Sequence, residues 1–260
     1  MRHDGIANSP TMHSDAMTPP LGAPPAHREL TAPFFEVGPK NLLRLPDILD
    51  VSIAAQDAGA RHEVSVILTV PTALISPAKA AAPNAFVFAQ GMDRDGLGPS
   101  VGRVIPESLV DAGADGVMLN HVSNPLAGDE LRRSVRRAQE NGLMTMVCAG
   151  DEAEVLDLLP LRPTIVLFEP PELIGHSGGT GRPWIAEVNA KARALAPQVL
   201  LMHAGGVGTP QDAYQIMLNG ADGTGSTSGV LRDDSPARAV ARFIAAARRG
   251  FDDHKKRGDQ

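Results

Sequence analysis

The sequence predicts a single (β/α)8 barrel. Three observations carry that expectation. From Pro33 onward, short β-branched runs alternate with helical stretches; the runs number eight; and no second compositional zone divides the body. A chain of 260 residues can hold such a barrel as one domain. An open doubly wound sheet would use the same alternation, but the turns that follow the runs carry no G-x-G-x-x-G fingerprint.

Residues 1–32 precede the pattern. They hold Pro10, Pro19, Pro20, Pro24 and Pro25, three histidines and no apolar periodicity. Such a segment cannot bury enough surface to offset its ordering entropy, so a disordered tail is expected there. The apolar stretch of a secretory signal peptide is missing from it. The barrel is expected over residues 33–250 and a frayed, charged tail over 251–260. The eight runs are FFEV (34–37), VSVILTV (64–70), AFVFAQ (85–90), GVMLNH (116–121), LMTMVCA (143–149), TIVLFE (164–169), VLLMHA (199–204) and ADGTGS (221–226). Several are nearly continuous in apolar residues, as strands covered on both faces should be. The last, rich in glycine and poor in Val and Ile, is the weakest. Helices fill the gaps. DELRRSVRRAQENG starts at Asp129, puts Leu131, Val135 and Ala138 on one face and stops at Gly142. Thr209-Pro210-Gln211-Asp212 reads as a cap, a first-turn proline and an acid three residues on. Ser235-Pro236 opens a helix with Val240, Phe243, Ile244 and Ala247 on one stripe.

Composition narrows the function. The formal charge of −6 argues against a nucleic-acid partner, which calls for a basic face. No run approaches the length of a membrane span, and a single cysteine excludes a disulfide framework. In a barrel of this kind the active site lies at the carboxyl ends of the strands. The polar residues there are Lys40 after the first run, Asn120-His121 after the fourth and Glu169 after the sixth, with Gly/Ser turns at Gly205-Gly206 and 225–229. Glycine turns let backbone N–H groups approach an anion, and two such turns in succession favour a phosphate site over turn geometry alone. Lys40 can supply a cation to the same anion. A carboxylate at the end of a buried strand loses water, which raises the pKa of Glu169 towards that of a general base. His203 is expected to face the core or the helix layer, and Cys148 to be a buried, inert thiol. The stretch 170–183, with prolines first and four glycines after, has the composition of a lid.

These residues resemble the triosephosphate isomerase family in its shorter archaeal type. EPPELIG (169–175) with the Gly-rich stretch behind it is the most specific match; NGLMTMVCAG, LNH (119–121), VIPESLVDAGADGV (104–117) and AGGVGTPQDA (204–213) agree in order and spacing over residues 33–249. The resemblance implies a TIM barrel in the cytoplasm, a homo-oligomer (dimer or tetramer), no metal and no cofactor. It further implies a small phosphorylated sugar as substrate, isomerised through an enediolate, with glyceraldehyde 3-phosphate and dihydroxyacetone phosphate as the default pair. Residue by residue, Lys40 resembles the family's strand-1 lysine, His121 its electrophilic histidine and Glu169 its base. Ile174, Gly206, Thr227 and Ser228 match positions whose backbone holds the phosphate.

Three departures stand beside the match. The family's N-x-K is here Gly38-Pro39-Lys40, its H-S-E is His121-Val122-Ser123, and the lid carries extra residues, His176 to Gly179. The lost amide and carboxylate are expected to leave room around Lys40, which points to an isomerase of a C4–C5 ketose phosphate as the alternative. A catalytically silent phosphoester-binding barrel is the other alternative; retention of Lys40, His121 and Glu169 speaks against it.

Overall fold

The computed structural model describes residues 28–174 and 182–258. Eight strands form, each end within one residue of its expected run except for two-residue shortfalls at the end of the fourth and the start of the eighth: β1 Phe34–Val37, β2 Ser65–Val70, β3 Phe86–Ala89, β4 Gly116–Leu119, β5 Met144–Ala149, β6 Ile165–Phe168, β7 Leu200–His203 and β8 Gly223–Gly225. Each pairs in parallel with the next, and β8 closes on β1 through Phe34↔Gly223 and Glu36↔Gly225. The helices are α1 Leu45–His62, α2 Ile75–Ala81, α3 Pro106–Asp111, α4 Gly128–Glu140, α5 Glu152–Leu158, α6 Trp184–Leu195, α7 Pro210–Leu218, α8 Ser228–Leu231 and α9 Pro236–Gly258.

Side chains alternate across the strands and build two separate cores. Outward residues such as Phe35, Val87 and Leu201 pack under the helices, while Phe34, Ile67, Phe88, Met146, Ile165 and Met202 fill the barrel. The large rings fit because neighbouring strands have glycine beside them. A Cβ at Gly223 would lie 2.4 Å from the Phe34 ring, and one at Gly116 would lie 2.6 Å from that of Phe88. The eighth strand is short and poor in β-branched residues for this reason.

Local signals account for the helices. Thr209 and Asp212 form a full capping box on α7, and Val240, Phe243, Ile244 and Ala247 are all buried on α9. Helix α4 begins at Gly128, one residue earlier than expected, with no side-chain cap at Ala127; Asp129 and Glu130 sit in its first turn, where the helix dipole favours acids.

Both ends of the expected barrel need correction. Residues 28–32 belong to the folded body. Leu30 is buried in the barrel interior and closes its amino end, and Arg28 stacks on Phe86 at 4.5 Å while donating to the carbonyls of Asn84 and Ala85. At the other end, α9 continues through residues 251–258 without fraying, because His254 Nδ1 donates to the Leu218 carbonyl and Tyr214 to Asp253. Among the described residues no helix is long and apolar enough to cross a membrane.

Candidate active site

The carboxyl ends of the strands enclose a cavity of about 830 Å³. Lys40, His121, Glu169, Ile174, Gly206, Thr227 and Ser228 all line it. Residues 175–181, which include the expected insertion, His176 to Gly179, lie outside the described residues.

His121 is set by the residue before it. Asn120 follows β4 in a left-handed conformation (φ 60°). Its amide donates to the Cys148 carbonyl of β5 and accepts from the Leu126 N–H, which clamps the loop to the sheet. Nδ1 of His121 accepts the Ser123 backbone N–H at 3.1 Å and lies 2.7 Å from the Ser123 hydroxyl. A backbone N–H can only donate, so Nδ1 is the acceptor and the ring's proton sits on Nε2. Burial, with the Lys40 charge behind it, lowers the pKa of the ring. The imidazole is therefore neutral at pH 7 and carries an N–H donor.

Glu169 directly follows β6 and is tied to β5 through its N–H and the Ala149 carbonyl at 2.9 Å. Burial raises its pKa, while Lys40 and Arg182 pull it down. The net rise makes Glu169 a stronger base than an ordinary carboxylate. Lys40, at φ 50°, holds its backbone by accepting from Gln90 Nε2 at 2.8 Å, and its side chain is exposed at the mouth.

The turn after β7 needs glycine. Gly205 and Gly206 have φ of 79° and 64°, and a Cβ at Gly205 would press on Glu169 and Leu173 at 3.2 Å. Arg182 fixes this turn by donating to the carbonyls of Ala204, at 2.7 Å, and Gly205. The turn after β8 is stapled on both sides: Ser226 donates to the Val207 carbonyl at 2.7 Å and Thr227 to that of Gly38 at 2.8 Å. The two turns thus form one rigid wall beside Glu169.

His203 lies behind this wall, as its place in the sequence suggested. It bonds Asn189 of α6 at 2.8 Å, and burial pushes its pKa down to about 3. Cys148 is buried in the barrel interior with its thiol pKa raised by burial.

Two residues escaped the sequence reading. One is Arg182. The other is Glu36, the inward-facing residue of β1, only 6% exposed yet lining the cavity. A signal for it existed: an acid in a run that the barrel buries on both faces has no route to bulk water. Glu36 also corrects the expectation of free room at residue 38, since a Cβ on Gly38 would lie 2.5 Å from Glu36 Oε1. The volume at residue 38 is filled from within the barrel.

Comparison with known proteins finds relatives of this chain. The family model described as triosephosphate isomerase matches residues 49–246. The triosephosphate isomerase of Sulfurisphaera tokodaii is 31% identical over 209 residues, 80% of this chain and 91% of that protein. That of Sulfolobus acidocaldarius is 30% identical over 218 residues, 81% and 91% of the two chains. Among solved structures, the triosephosphate isomerase of Bartonella henselae superposes with a TM-score of 0.67 at 19% identity, covering 84% of this chain and 99% of that one, a likeness of fold.

Proposed function

The chain belongs to the triosephosphate isomerase family, and on that footing we propose that it interconverts glyceraldehyde 3-phosphate and dihydroxyacetone phosphate through an enediolate. The observation that carries the proposal is the pairing of a neutral, Nε2-protonated His121 with a basic Glu169 across one cavity whose wall is made of glycine turns.

Each group has one task. The phosphate rests on the turns at Gly206 and Thr227-Ser228, with Ile174 at the lid's base, where backbone N–H groups can face it. Glu169 removes the proton from the carbon next to the carbonyl and returns it to the neighbouring carbon. The Nε2–H of His121 donates to the carbonyl oxygen as charge builds on it and relays the hydroxyl proton from one oxygen to the other, and Lys40 adds a positive charge on the same side. Arg182 positions the β7 turn without touching substrate. The filled space at residue 38 supports a triose over a C4–C5 sugar. Homo-oligomeric assembly and a cytoplasmic location go with the family reading.

An isomerase assay over C3 to C5 phosphosugars tests the proposal. The triose pair should be the fastest, and Glu169→Gln should lower kcat by roughly 10²–10⁴-fold with inorganic phosphate binding unchanged. Unchanged turnover in that variant would remove Glu169 as the base.

A further inference from the structure

Glu36 is an acid in a place where a hydrocarbon would hold the barrel together better. Its Oε1 has no hydrogen-bond partner among the described residues, and neither has the neighbouring Thr69 hydroxyl. Burying an unpaired polar group destabilises a fold unless something else uses it. The surroundings are nevertheless shaped to keep it. A Cβ at Gly38 would approach Oε1 to 2.5 Å, and one at Gly225 would approach Oε2 to 2.8 Å. The groups that bear on the carboxyl are Lys40 beyond the end of β1, Thr69 of β2, Cys148 of β5 and Glu169 after β6; β8 presents only Gly225.

We propose that Glu36 is a catalytic residue of this isomerase, its carboxyl hydrogen-bonding an oxygen of the reacting carbons of the bound phosphosugar from the floor of the cavity. The assignment rests on the isomerase reading above. Its motivation is geometric: a buried carboxyl with one oxygen orphaned, on a residue that lines the same cavity as His121 and Glu169, in the volume next to residue 38 where the resembling family carries an amide.

The two carboxyls divide the work by their protonation. Burial lifts the pKa of Glu36 to about 7 and the charge of Glu169 adds to the rise, while the Thr69 hydroxyl, close by but outside hydrogen-bonding geometry, and Lys40 oppose it. Below that pH Glu36 keeps its proton and donates an O–H to the substrate's carbonyl or enediolate oxygen, while Glu169 serves as the base. No bond to Glu36 forms or breaks, and the carbon-bound proton travels only between Glu169 and carbon. Above that pH Glu36 ionises, can only accept, and repels the enediolate.

The experiment compares Glu36→Gln and Glu36→Leu in the full chain, measuring kcat and KM for the triose, melting temperature, and inorganic phosphate affinity. Glu36→Leu should lose roughly 10²–10³-fold in kcat, the usual effect of one oxyanion donor, while phosphate affinity holds and the melting temperature rises. Glu36→Gln, which donates at every pH, should stay within about tenfold of the wild type and lose the alkaline fall that the wild type shows near pH 7. Loss of activity with a higher melting temperature is something a merely structural residue would not give. Wild-type kcat in Glu36→Leu, an unaltered alkaline fall in Glu36→Gln, or lowered melting temperatures in both variants would overturn the assignment and leave the isomerase reading intact. A wild-type protein that binds inorganic phosphate yet isomerises no phosphosugar would bring down both.

Discussion

Along β1, Phe34 and Glu36 point into the same barrel two residues apart, and each meets a glycine of β8. At the amino end the space beside Gly223 takes a phenyl ring, and Leu30 seals the layer from below. At the carboxyl end the space beside Gly225 takes a carboxyl whose oxygen finds no partner. One steric device, a large side chain beside a small one, serves cohesion in one layer and leaves an unmet hydrogen bond in the next. The difference shows where in the barrel stability has been given up, and a site for chemistry lies at that end.

The comparison breaks most sharply at Phe34. Phe34→Ala should destabilise the protein by roughly 3–5 kcal/mol, the usual cost of opening a cavity in a tight core. Urea melts measure this, and the folded fraction should keep its kcat, because the ring lies a layer below the cavity. A large fall in kcat per folded molecule would mean that the two layers are coupled.

A pH titration probes the upper layer. The pKa of Glu36 is about 7 in the folded chain against 4.5 in the open chain. The folded state therefore binds this proton more tightly, so its stabilising effect is complete below about pH 4.5 and drains away as the pH rises to about 7. The loss is roughly 3 kcal/mol at 1.36 kcal/mol per pKa unit. Glu169, raised in the same direction, adds to the slope. Urea melts at pH 5 and pH 8 should show that loss in the wild type and a much smaller one in Glu36→Gln; equal slopes would assign the drain to other groups.

The smallest effect lies beside both layers, at the α7 cap. Asp212 closes the capping box and also accepts the Gly208 N–H at 3.1 Å at the edge of the β7 turn. Thr209→Ala should cost about 1 kcal/mol of stability and weaken inorganic phosphate binding measurably by calorimetry. A stability loss with phosphate binding untouched would separate the cap from the wall of the site.

Much of this was legible in the chain. Runs such as SVILTV and MTMVCA state their burial on both faces, and Thr209 to Asp212 spell a cap that forms in full. The weak eighth run was harder to read because its glycines answer to Phe34 and Glu36 on another strand, a contact nearly two hundred residues away in sequence. His121 and Glu169 stood out because they follow apolar runs directly. Arg182 did not, since its role depends on where two carbonyls of the β7 turn point. The tail was misjudged at its last five residues because a lone Leu30 has no periodicity; only the open amino end of the barrel gives it a purpose.

Cys148 is the chain's one thiol, held in the wall of the barrel on β5 with its thiolate form suppressed by burial. A maleimide can reach it only when β5 parts from its neighbours or the chain unfolds. The labelling rate under native conditions therefore reads the opening equilibrium of that one stave, with no engineered reporter. An anion that binds only the closed barrel must slow the labelling by the factor through which it stabilises that state, so the same thiol weighs ligand affinity without any turnover being observed.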